Sequence, residues 1–289
     1  MKNILITGAT GHLGTTVIEH LVSKMPPKQI TALVRNLSKA TDILTKGINV
    51  REGDYFKRES LVNAMQGIDT VLLISSSDFN DRFGQHKNVI DAAKEAGVKH
   101  VFYTGVTMKD IEQSVMKPLL ESHFQTEQYI QSQGFHYTFL RNGLYMEVIP
   151  TFVGQNVLET GIFLPAGAGK VAYASRKDLG EATANILASE GHENKIYHFT
   201  APMSYSFEEI AEALSELSGK KVPYISPESK VFEDTLKQWG LPDEVVGISS
   251  LFSMGIKNND FDTPNSILET ILGRKALDLK GFLKETYSL

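Results

Sequence analysis

The segment that most constrains the fold is the N-terminal run of residues 2–14. A short apolar run, Ile4–Ile6, predicts a buried strand. Three glycines follow it in a G-x-x-G-x-x-G spacing, at Gly8, Gly11 and Gly14, and a helical pattern continues to residue 22. Glycine permits a sharp turn and leaves room for a pyrophosphate beside the N-terminus of the helix. Strand, turn and helix together predict the first unit of a dinucleotide-binding fold, and the alternative is an ordinary glycine-rich turn.

Strand and helix patterns then alternate along the first half of the chain. Apolar runs predict strands at 29–34, 48–50, 70–74, 100–103 and 135–140, with helical patterns at 38–45, near 58, at 86–96 and at 119–133. This alternation is typical of an α/β protein with a doubly wound parallel sheet. The segment to about residue 170 is rich in loops. A helix at 178–189, a strand at 195–200 and an amphipathic helix at 206–218 follow, and the remainder mixes short helices with loops.

Composition excludes several classes of function. The 289 residues carry a net charge of −5 without a basic stripe, which disfavours binding to nucleic acid. The sequence contains no cysteine, which excludes disulfides, thiolate metal sites and a cysteine nucleophile. We expect no signal peptide, because a core strand begins near the N-terminus, and no membrane span, because no apolar run approaches roughly 18 residues. A cytoplasmic location is the expectation that fits these features best.

The end of the second predicted strand carries Arg35 and no nearby acidic residue. At this place an acidic residue binds the ribose hydroxyls of NAD, whereas an arginine accommodates the 2′-phosphate of NADP. Arg35 therefore favours NADP, and the alternative is a solvated surface arginine. After the third strand, Asp54 can reach the adenine amino group and Tyr55 can lie near the ring. Asp54 can equally well cap the helix that begins near residue 58.

Polar residues also follow the next two predicted strands. Ser75, Ser76 and Ser77 end the fourth strand, and Thr104 and Gly105 end the fifth. The carboxyl ends of parallel strands line the ligand crevice of an open α/β sheet, so the serines lie where a nicotinamide ribose would pass. The alternative is a polar strand end or a helix-capping cluster.

Several of these motifs together resemble the NmrA-like atypical short-chain dehydrogenases. They are GATGHLG from Gly8, LVRN ending at Asn36, GDY around Asp54, LLISSS ending at Ser77, and YTFLRNGLY ending at Tyr145. Within that family the chain is most similar to the NADPH-dependent quinone oxidoreductases and triphenylmethane reductases, over nearly its whole length. The resemblance implies a Rossmann-like NADP-binding domain of residues 1–147 and 172–201. It also implies a smaller substrate-binding lobe of residues 148–171 and 202–289.

Short-chain dehydrogenases usually carry a catalytic Tyr-x-x-x-Lys pair. Here the only such spacing, Tyr173 to Lys177, lies far downstream of the expected helix, and we interpret it as a coincidence. In that helix several NmrA-like proteins keep a lysine where this chain has His123. A histidine can hydrogen-bond the ribose or donate a proton near neutral pH, and the alternative is a partly exposed helix histidine. A quinone is already a strong hydride acceptor whose protons can come from solvent, so quinone reduction does not need the tyrosine.

The loop after the sixth strand offers two candidate contacts for the acceptor. Asn142 can hydrogen-bond a quinone oxygen, and Tyr145 can stack on its ring or donate through its hydroxyl. The alternatives are an asparagine that stabilises a turn and a tyrosine that packs between the lobes.

The sequence therefore predicts an NADPH-dependent oxidoreductase that transfers hydride to a quinone or a dye-like conjugated acceptor. The alternative is a non-catalytic NADP(H)-binding redox sensor that acts through protein partners. We expect neither flavin nor metal, and a homodimer is possible. The predicted catalytic residues are His123, Asn142 and Tyr145. The predicted cofactor-binding residues are Gly8, Thr10, Gly11, His12, Leu13, Gly14, Arg35, Asp54, Tyr55, Ser75, Ser76, Ser77, Thr104, Gly105 and His123.

Overall fold

A seven-stranded parallel sheet forms the centre of the molecule in the computed structural model, which describes residues 2–289 apart from the side chain of residue 39. In this part of the chain the sheet strands are β1 (Ile4–Ile6), β2 (Ile30–Val34), β3 (Asn49–Glu52), β4 (Thr70–Leu73), β5 (His100–Val106), β6 (His136–Asn142) and β9 (Lys195–Phe199). Their order is β3-β2-β1-β4-β5-β6-β9, and every neighbouring pair is parallel. The direction of winding reverses between β1 and β4, so the loops that leave these two strands separate and create a crevice.

Helices and small sheets surround the central sheet. The helices are α1 (His12–Leu21), α2 (Thr41–Leu44), α3 (Arg58–Ala64), α4 (Arg82–Glu95), α5 (Lys117–Ser132), α6 (Ile149–Val153), α7 (Val157–Thr160), α8 (Arg176–Leu187), α9 (Phe207–Ser218), α10 (Ser229–Gln238), α11 (Asp243–Lys257), α12 (Ile267–Leu272) and α13 (Leu279–Tyr287). Single 3₁₀ turns lie at Pro27–Gln29, Leu37–Lys39 and Met146–Val148. The short strands β8 (Lys170–Val171) and β10 (Tyr205–Ser206) pair with each other, as do β7 (Ile162–Phe163) and β11 (Tyr224–Ile225).

Both faces of the sheet are covered, because successive side chains of a strand point to opposite faces. Ile4, Ile6 and Phe102 pack with apolar residues of α1, α8 and α12 on one face. Leu5 and Tyr103 pack with α3, α4 and α5 on the other face. A third core unites the C-terminal helices with the segment after β6; its members include Met146, Phe207, Phe232 and Leu283.

The predicted α/β class and doubly wound parallel sheet are confirmed. The first helix begins at His12, three residues before the predicted start, with Gly11 as its N-cap residue. Two glycines in this turn disguise the helical pattern, yet Gly14 lies within the helix because its missing Cβ lets the backbone of Gly8 approach.

Other predicted bounds also differ from the structure. The helix predicted at 38–45 is only a 3₁₀ turn and the four residues of α2, because Asn36 accepts a hydrogen bond from the backbone of Ser38 and starts a tight turn. The segment predicted as loops contains α6 and α7, each of which ends at a glycine with positive φ, Gly154 and Gly161. Among the C-terminal helices, α11 extends over 15 residues, longer than the short helices that the sequence predicts.

Candidate active site

A cavity of about 460 Å³ opens at the carboxyl edge of the sheet, where the winding reverses. Its walls come from the loops after β1, β2, β3 and β4 and from the start of α4. The lining residues are Gly8, Thr10, Gly11, Leu33, Val34, Arg35, Gly53, Asp54, Tyr55, Phe56, Ile74, Ser75, Ser76, Ser77, Asp78 and Gln85. The cavity therefore brings together nine of the residues predicted to bind a dinucleotide.

The three glycines of the first turn have different structural roles. Gly8 adopts a φ of +59°, a left-handed conformation that side chains strongly disfavour. A Cβ on Gly14 would lie 2.2 Å from the carbonyl oxygen of Gly8, so this glycine is required for the helix to approach the strand. Gly11 lies on the cavity wall with ordinary backbone angles, and the nearest atom to its added Cβ would be 3.2 Å away. Of these three glycines, only Gly11 is not required by the fold, so its missing side chain can leave space for a ligand.

The end of β2 presents Arg35 to the cavity, and the side chain is exposed. Burial raises the pKa of the Tyr55 phenol. The positive charge of Arg35 lies close enough to that phenol to oppose the rise. The Tyr55 hydroxyl is within hydrogen-bond distance of Thr7 and lies 3.0 Å from the carbonyl oxygen of Ile74. The aromatic ring is thereby fixed across the ends of β1 and β4.

Asp54 does not cap the following helix. Its Oδ1 accepts a hydrogen bond from the backbone of Phe56 (3.1 Å), while α3 begins after Lys57, whose side chain makes no capping bond. The carboxylate instead closes a local turn on the cavity wall. The capping alternative is therefore wrong, and Asp54 remains available to a ligand.

Side chains of β5 and α4 hold the serines after β4 in place through hydrogen bonds. The backbone N–H of Ser75 donates to Thr104 Oγ1 (2.9 Å), and the N–H of Ser76 donates to His86 Nε2 (2.9 Å). The Ser76 hydroxyl donates to Gln85 Oε1 (2.9 Å). The serines do not cap α4, because Asp81 accepts the capping bond from Gly84.

Sequence reasoning missed Gln85 and Asp78, which share the wall with the serines. Gln85 Nε2 donates to Asp78 Oδ2 (3.0 Å), so the two side chains form one polar strip with Ser76. Gln85 lies one turn into α4, and no spacing in the sequence connects that position with the strand end. Only the polar run from Ser75 to Asp78 is a local signal for this strip.

Six predicted cofactor residues do not line the cavity: His12, Leu13, Gly14, Thr104, Gly105 and His123. His12 is exposed at the start of α1, whereas Leu13 packs in the core. Thr104 is buried and supports Ser75. A Cβ on Gly105 would lie 2.9 Å from Glu127 Oε1, so this glycine makes room for the Glu127–Arg141 ion pair.

His123 is buried, in contrast to the partly exposed alternative. Only 8% of its surface remains accessible, and its Nδ1 lies 2.8 Å from the hydroxyl of Tyr103. Burial, together with the positive charge of Arg82, holds the pKa of His123 well below its usual value. The lowered pKa favours a neutral ring at pH 7, and a role of His123 as a proton donor near neutral pH stays an untested prediction that its burial does not favour.

Asn142 and Tyr145 are adjacent at the carboxyl end of β6. Asn142 is 2% exposed, and within the described chain neither atom of its amide group has a hydrogen-bond partner. Burial raises the pKa of Tyr145. The guanidinium of Arg176 stacks 4.4 Å from the centre of the Tyr145 ring. One face of the ring is thus covered by the protein.

Tyr173 and Lys177 do not form a catalytic pair. Tyr173 is completely buried in the C-terminal core, and its hydroxyl has no hydrogen-bond partner in the described chain. Lys177 is exposed on α8. The interpretation of this spacing as a coincidence fits their separate environments.

The arrangement of residues 2–289 also bears on metal binding and on membrane insertion. No group of three or more histidine, cysteine, aspartate or glutamate side chains in that range is arranged to bind a metal ion. No helix in the same range has both the length and the apolar character that crossing a membrane requires.

Comparison with known proteins gives consistent matches over nearly the whole chain. The model of a family described as NmrA-like matches residues 1–286. Quinone oxidoreductase 2 of Escherichia coli (strain K12) is 38% identical over 277 residues, which cover 96% of each protein.

Two solved structures with bound cofactor are also similar. The NADPH-dependent quinone oxidoreductase of Escherichia coli in complex with NADPH has a TM-score of 0.92 at 36% identity. The triphenylmethane reductase of Citrobacter sp. in complex with NADP(H) has a TM-score of 0.91 at 36% identity. Each match covers 98% of this chain and 99% of the other.

Proposed function

The chain belongs to the NmrA-like family, and from this membership we propose that it is an NADPH-dependent reductase of quinones or similar conjugated acceptors. The observation that carries the proposal is the cavity at the switch point, lined by a glycine turn and by an arginine at the end of β2. Relatives named for quinone and triphenylmethane reduction cover nearly the whole chain, so both the cavity and the C-terminal helices lie within the matched part.

The cavity residues fit the parts of NADPH. Gly11 leaves space for the pyrophosphate, and the backbone N–H groups at the start of α1 can donate to its oxygens. The guanidinium of Arg35 can bind the 2′-phosphate through its positive charge and two parallel N–H donors. Asp54 can accept a hydrogen bond from the adenine amino group, beside the fixed ring of Tyr55. Ser75, Ser76 and Ser77 line the cavity at the end of β4, which neighbours β5. This position suits the nicotinamide half of NADPH.

The reaction requires little acid–base chemistry from the protein. Bound NADPH supplies a hydride from C4 of its nicotinamide ring. Quinone, NADPH and one proton yield hydroquinone and NADP⁺, and water can deliver the proton. The work of the chain is then to orient the acceptor and exclude side reactions, for which we propose Asn142, Tyr145 and His123.

Steady-state oxidation of NADPH with a simple benzoquinone tests the proposal, with NADH run in parallel. We expect consumption that depends on quinone and prefers NADPH. The variant Gly11→Val is a control for the site, since its side chain would occupy the pyrophosphate position. Tight NADPH binding without turnover on any quinone or dye would instead indicate the redox sensor.

Five further expectations stay predictions. They are the lobe bounds of 1–147 with 172–201 and 148–171 with 202–289, a homodimer, a cytoplasmic location, the lack of a metal and the lack of flavin. A purified protein without visible absorbance and with full activity on NADPH would support the last of these. Bound yellow cofactor that copurifies with activity would contradict it.

A further inference from the structure

A chain of buried hydrogen bonds extends from the cavity wall to His123. It begins at the backbone of Ser76, which donates to His86 Nε2 (2.9 Å). The other ring nitrogen, His86 Nδ1, lies 2.9 Å from Thr126 Oγ1 and 3.5 Å from the hydroxyl of Tyr103. Tyr103 in turn lies 2.8 Å from His123 Nδ1. His86, Tyr103 and Thr126 are fully buried.

The hydrogen bond from Ser76 to His86 fixes the direction of the other hydrogen bonds in this series. A backbone N–H can only donate, so Nε2 of His86 must be a bare acceptor. Burial lowers the pKa of His86 to about 3, and the neutral ring must then carry its hydrogen on Nδ1. That hydrogen points to Thr126, whose own hydroxyl donates to the carbonyl of Ser122 (2.7 Å).

The phenol of Tyr103 lies near Thr126 and two histidine rings. Thr126 is already engaged by His86 and by the carbonyl of Ser122, so the acceptor of the phenol is one of the rings. The phenol oxygen is within 3.5 Å of two ring nitrogens in the described chain, Nδ1 of His86 and Nδ1 of His123. The first carries a hydrogen and has no free lone pair. Since a buried hydroxyl needs an acceptor, the phenol donates to His123 Nδ1. The hydrogen of the neutral His123 ring therefore lies on Nε2.

Charged and titratable groups lie on every element packed against the helix of His123: Arg82 and His86 on α4, Tyr103 on β5, Arg141 on β6 and Glu127 on α5 itself. Of these, Tyr103 lies 2.8 Å from the His123 ring, and Arg82 and His86 act on its charge. Arg82 is a buried cation that donates to the carbonyl of Ser76 (2.9 Å). The charge of Glu127 is balanced by three hydrogen bonds from the guanidinium of Arg141, at 2.6, 3.0 and 3.2 Å. Burial lowers the pKa of His123 most, and the positive charge of Arg82, which has Asp78 as a carboxylate neighbour, lowers it further. Both effects favour a neutral ring.

We propose that Tyr103, itself oriented by His86 and Thr126, is a positioning residue that holds His123 as a hydrogen-bond donor through Nε2. The recipient is an oxygen of the bound nicotinamide nucleotide or of the acceptor, and this part of the inference rests on the proposed function. Nε2 has no partner within the described chain, and His123 keeps 8% of its surface accessible. A neutral donor polarises the oxygen without transferring a proton, so the proton of the product comes from water.

The tautomer is measured directly by long-range ¹H–¹⁵N spectra of the histidine rings in the intact protein. We expect His123 to show a protonated Nε2 and a bare Nδ1, with signals constant between about pH 5 and 8. The variant Tyr103→Phe should change the tautomer or move its titration into that range. Tyr197→Phe is a matched control, because the Tyr197 hydroxyl lies 2.7 Å from Nδ1 of His192 near the surface. A wild-type ring with hydrogen on Nδ1, or a charged ring, would overturn the proposal.

Kinetics identify which oxygen accepts the bond. If it belongs to the nucleotide, Tyr103→Phe should raise the Kd for NADPH about two- to tenfold, the range for one hydrogen bond. If it belongs to the quinone, the variant should leave that Kd unchanged and lower kcat/KM for the quinone by the same range. Unchanged values of both, in a folded variant whose tautomer has changed, would refute the donor role. The tautomer stays measurable even if the wild type reduces no quinone, so the two proposals fail separately.

Discussion

Arg35 is the side chain expected to distinguish NADPH from NADH. It is exposed on the cavity wall at the end of β2, and no acidic residue follows that strand directly. Arg35→Ala should raise the Kd for NADPH roughly 10- to 100-fold, the loss of charge-assisted hydrogen bonds, and leave the Kd for NADH nearly unchanged. Binding titrations with both nucleotides measure this. Arg58→Ala is the matched control, since Arg58 is an exposed arginine that pairs with Glu95 outside the cavity. Equal losses for both nucleotides would contradict a phosphate contact.

Asn142 combines a stability cost with a proposed role in binding. Its amide group is buried with no partner in the described chain, an arrangement that costs about 1–3 kcal/mol unless a ligand or water supplies the bonds. Asn142→Leu should therefore keep or raise the free energy of unfolding in urea, while it lowers kcat/KM for the quinone. A variant that is less stable and fully active would show that the amide group serves only the fold.

Two glycines of the first turn have different roles: Gly14 is required for the fold, and Gly11 is expected to bind the ligand. Gly14→Ala places a Cβ 2.2 Å from the carbonyl oxygen of Gly8, and it should cost about 1–3 kcal/mol of stability. Gly11→Val should lower the melting temperature of the free protein only modestly, because its Cβ would lie 3.2 Å from the carbonyl oxygen of Gly8 at the helix N-cap, and it should abolish the shift that NADPH causes. Gly247→Ala is the control, because Gly247 lies in α11 with no atom within 4 Å of an added Cβ. Normal NADPH binding by Gly11→Val would exclude this turn as the pyrophosphate site.

Local sequence signals account for the parts of the site that lie on one element. The glycine spacing, Arg35 at a strand end and the serine run are each contiguous in sequence, so strand periodicity alone brings them to the carboxyl edge. The buried hydrogen bonds that hold these residues in place are not predictable from the sequence. Tyr103 reaches His123 across 20 residues, and His86 reaches Thr126 across 40, because α4 and α5 pack on the same face of the sheet. No spacing in the sequence specifies how two such helices are rotated about their axes.

The pH dependence of stability belongs to the whole molecule. Burial lowers the pKa of His86 to about 3 and that of His123 well below its usual value, whereas both rings titrate near pH 6.5 when unfolded. Below that pH the unfolded chain binds more protons, so stability is present at neutral pH and is lost on acidification. Each histidine contributes up to about 1.4 kcal/mol per pH unit. Urea unfolding at about pH 7.5 and about pH 5.5 should show the decrease. Equal or greater stability at the lower pH would contradict the buried neutral rings.

The most direct measurement is a single turnover of the purified protein loaded with NADPH and mixed with benzoquinone. Direct hydride transfer predicts that NADP⁺ and hydroquinone form in equal amounts, without an added cofactor. It also predicts a primary isotope effect when deuterium occupies one face of nicotinamide C4, and none when it occupies the other. NADPH that binds tightly and stays reduced in the presence of quinone would contradict the assignment as a reductase and would indicate a nucleotide-binding sensor.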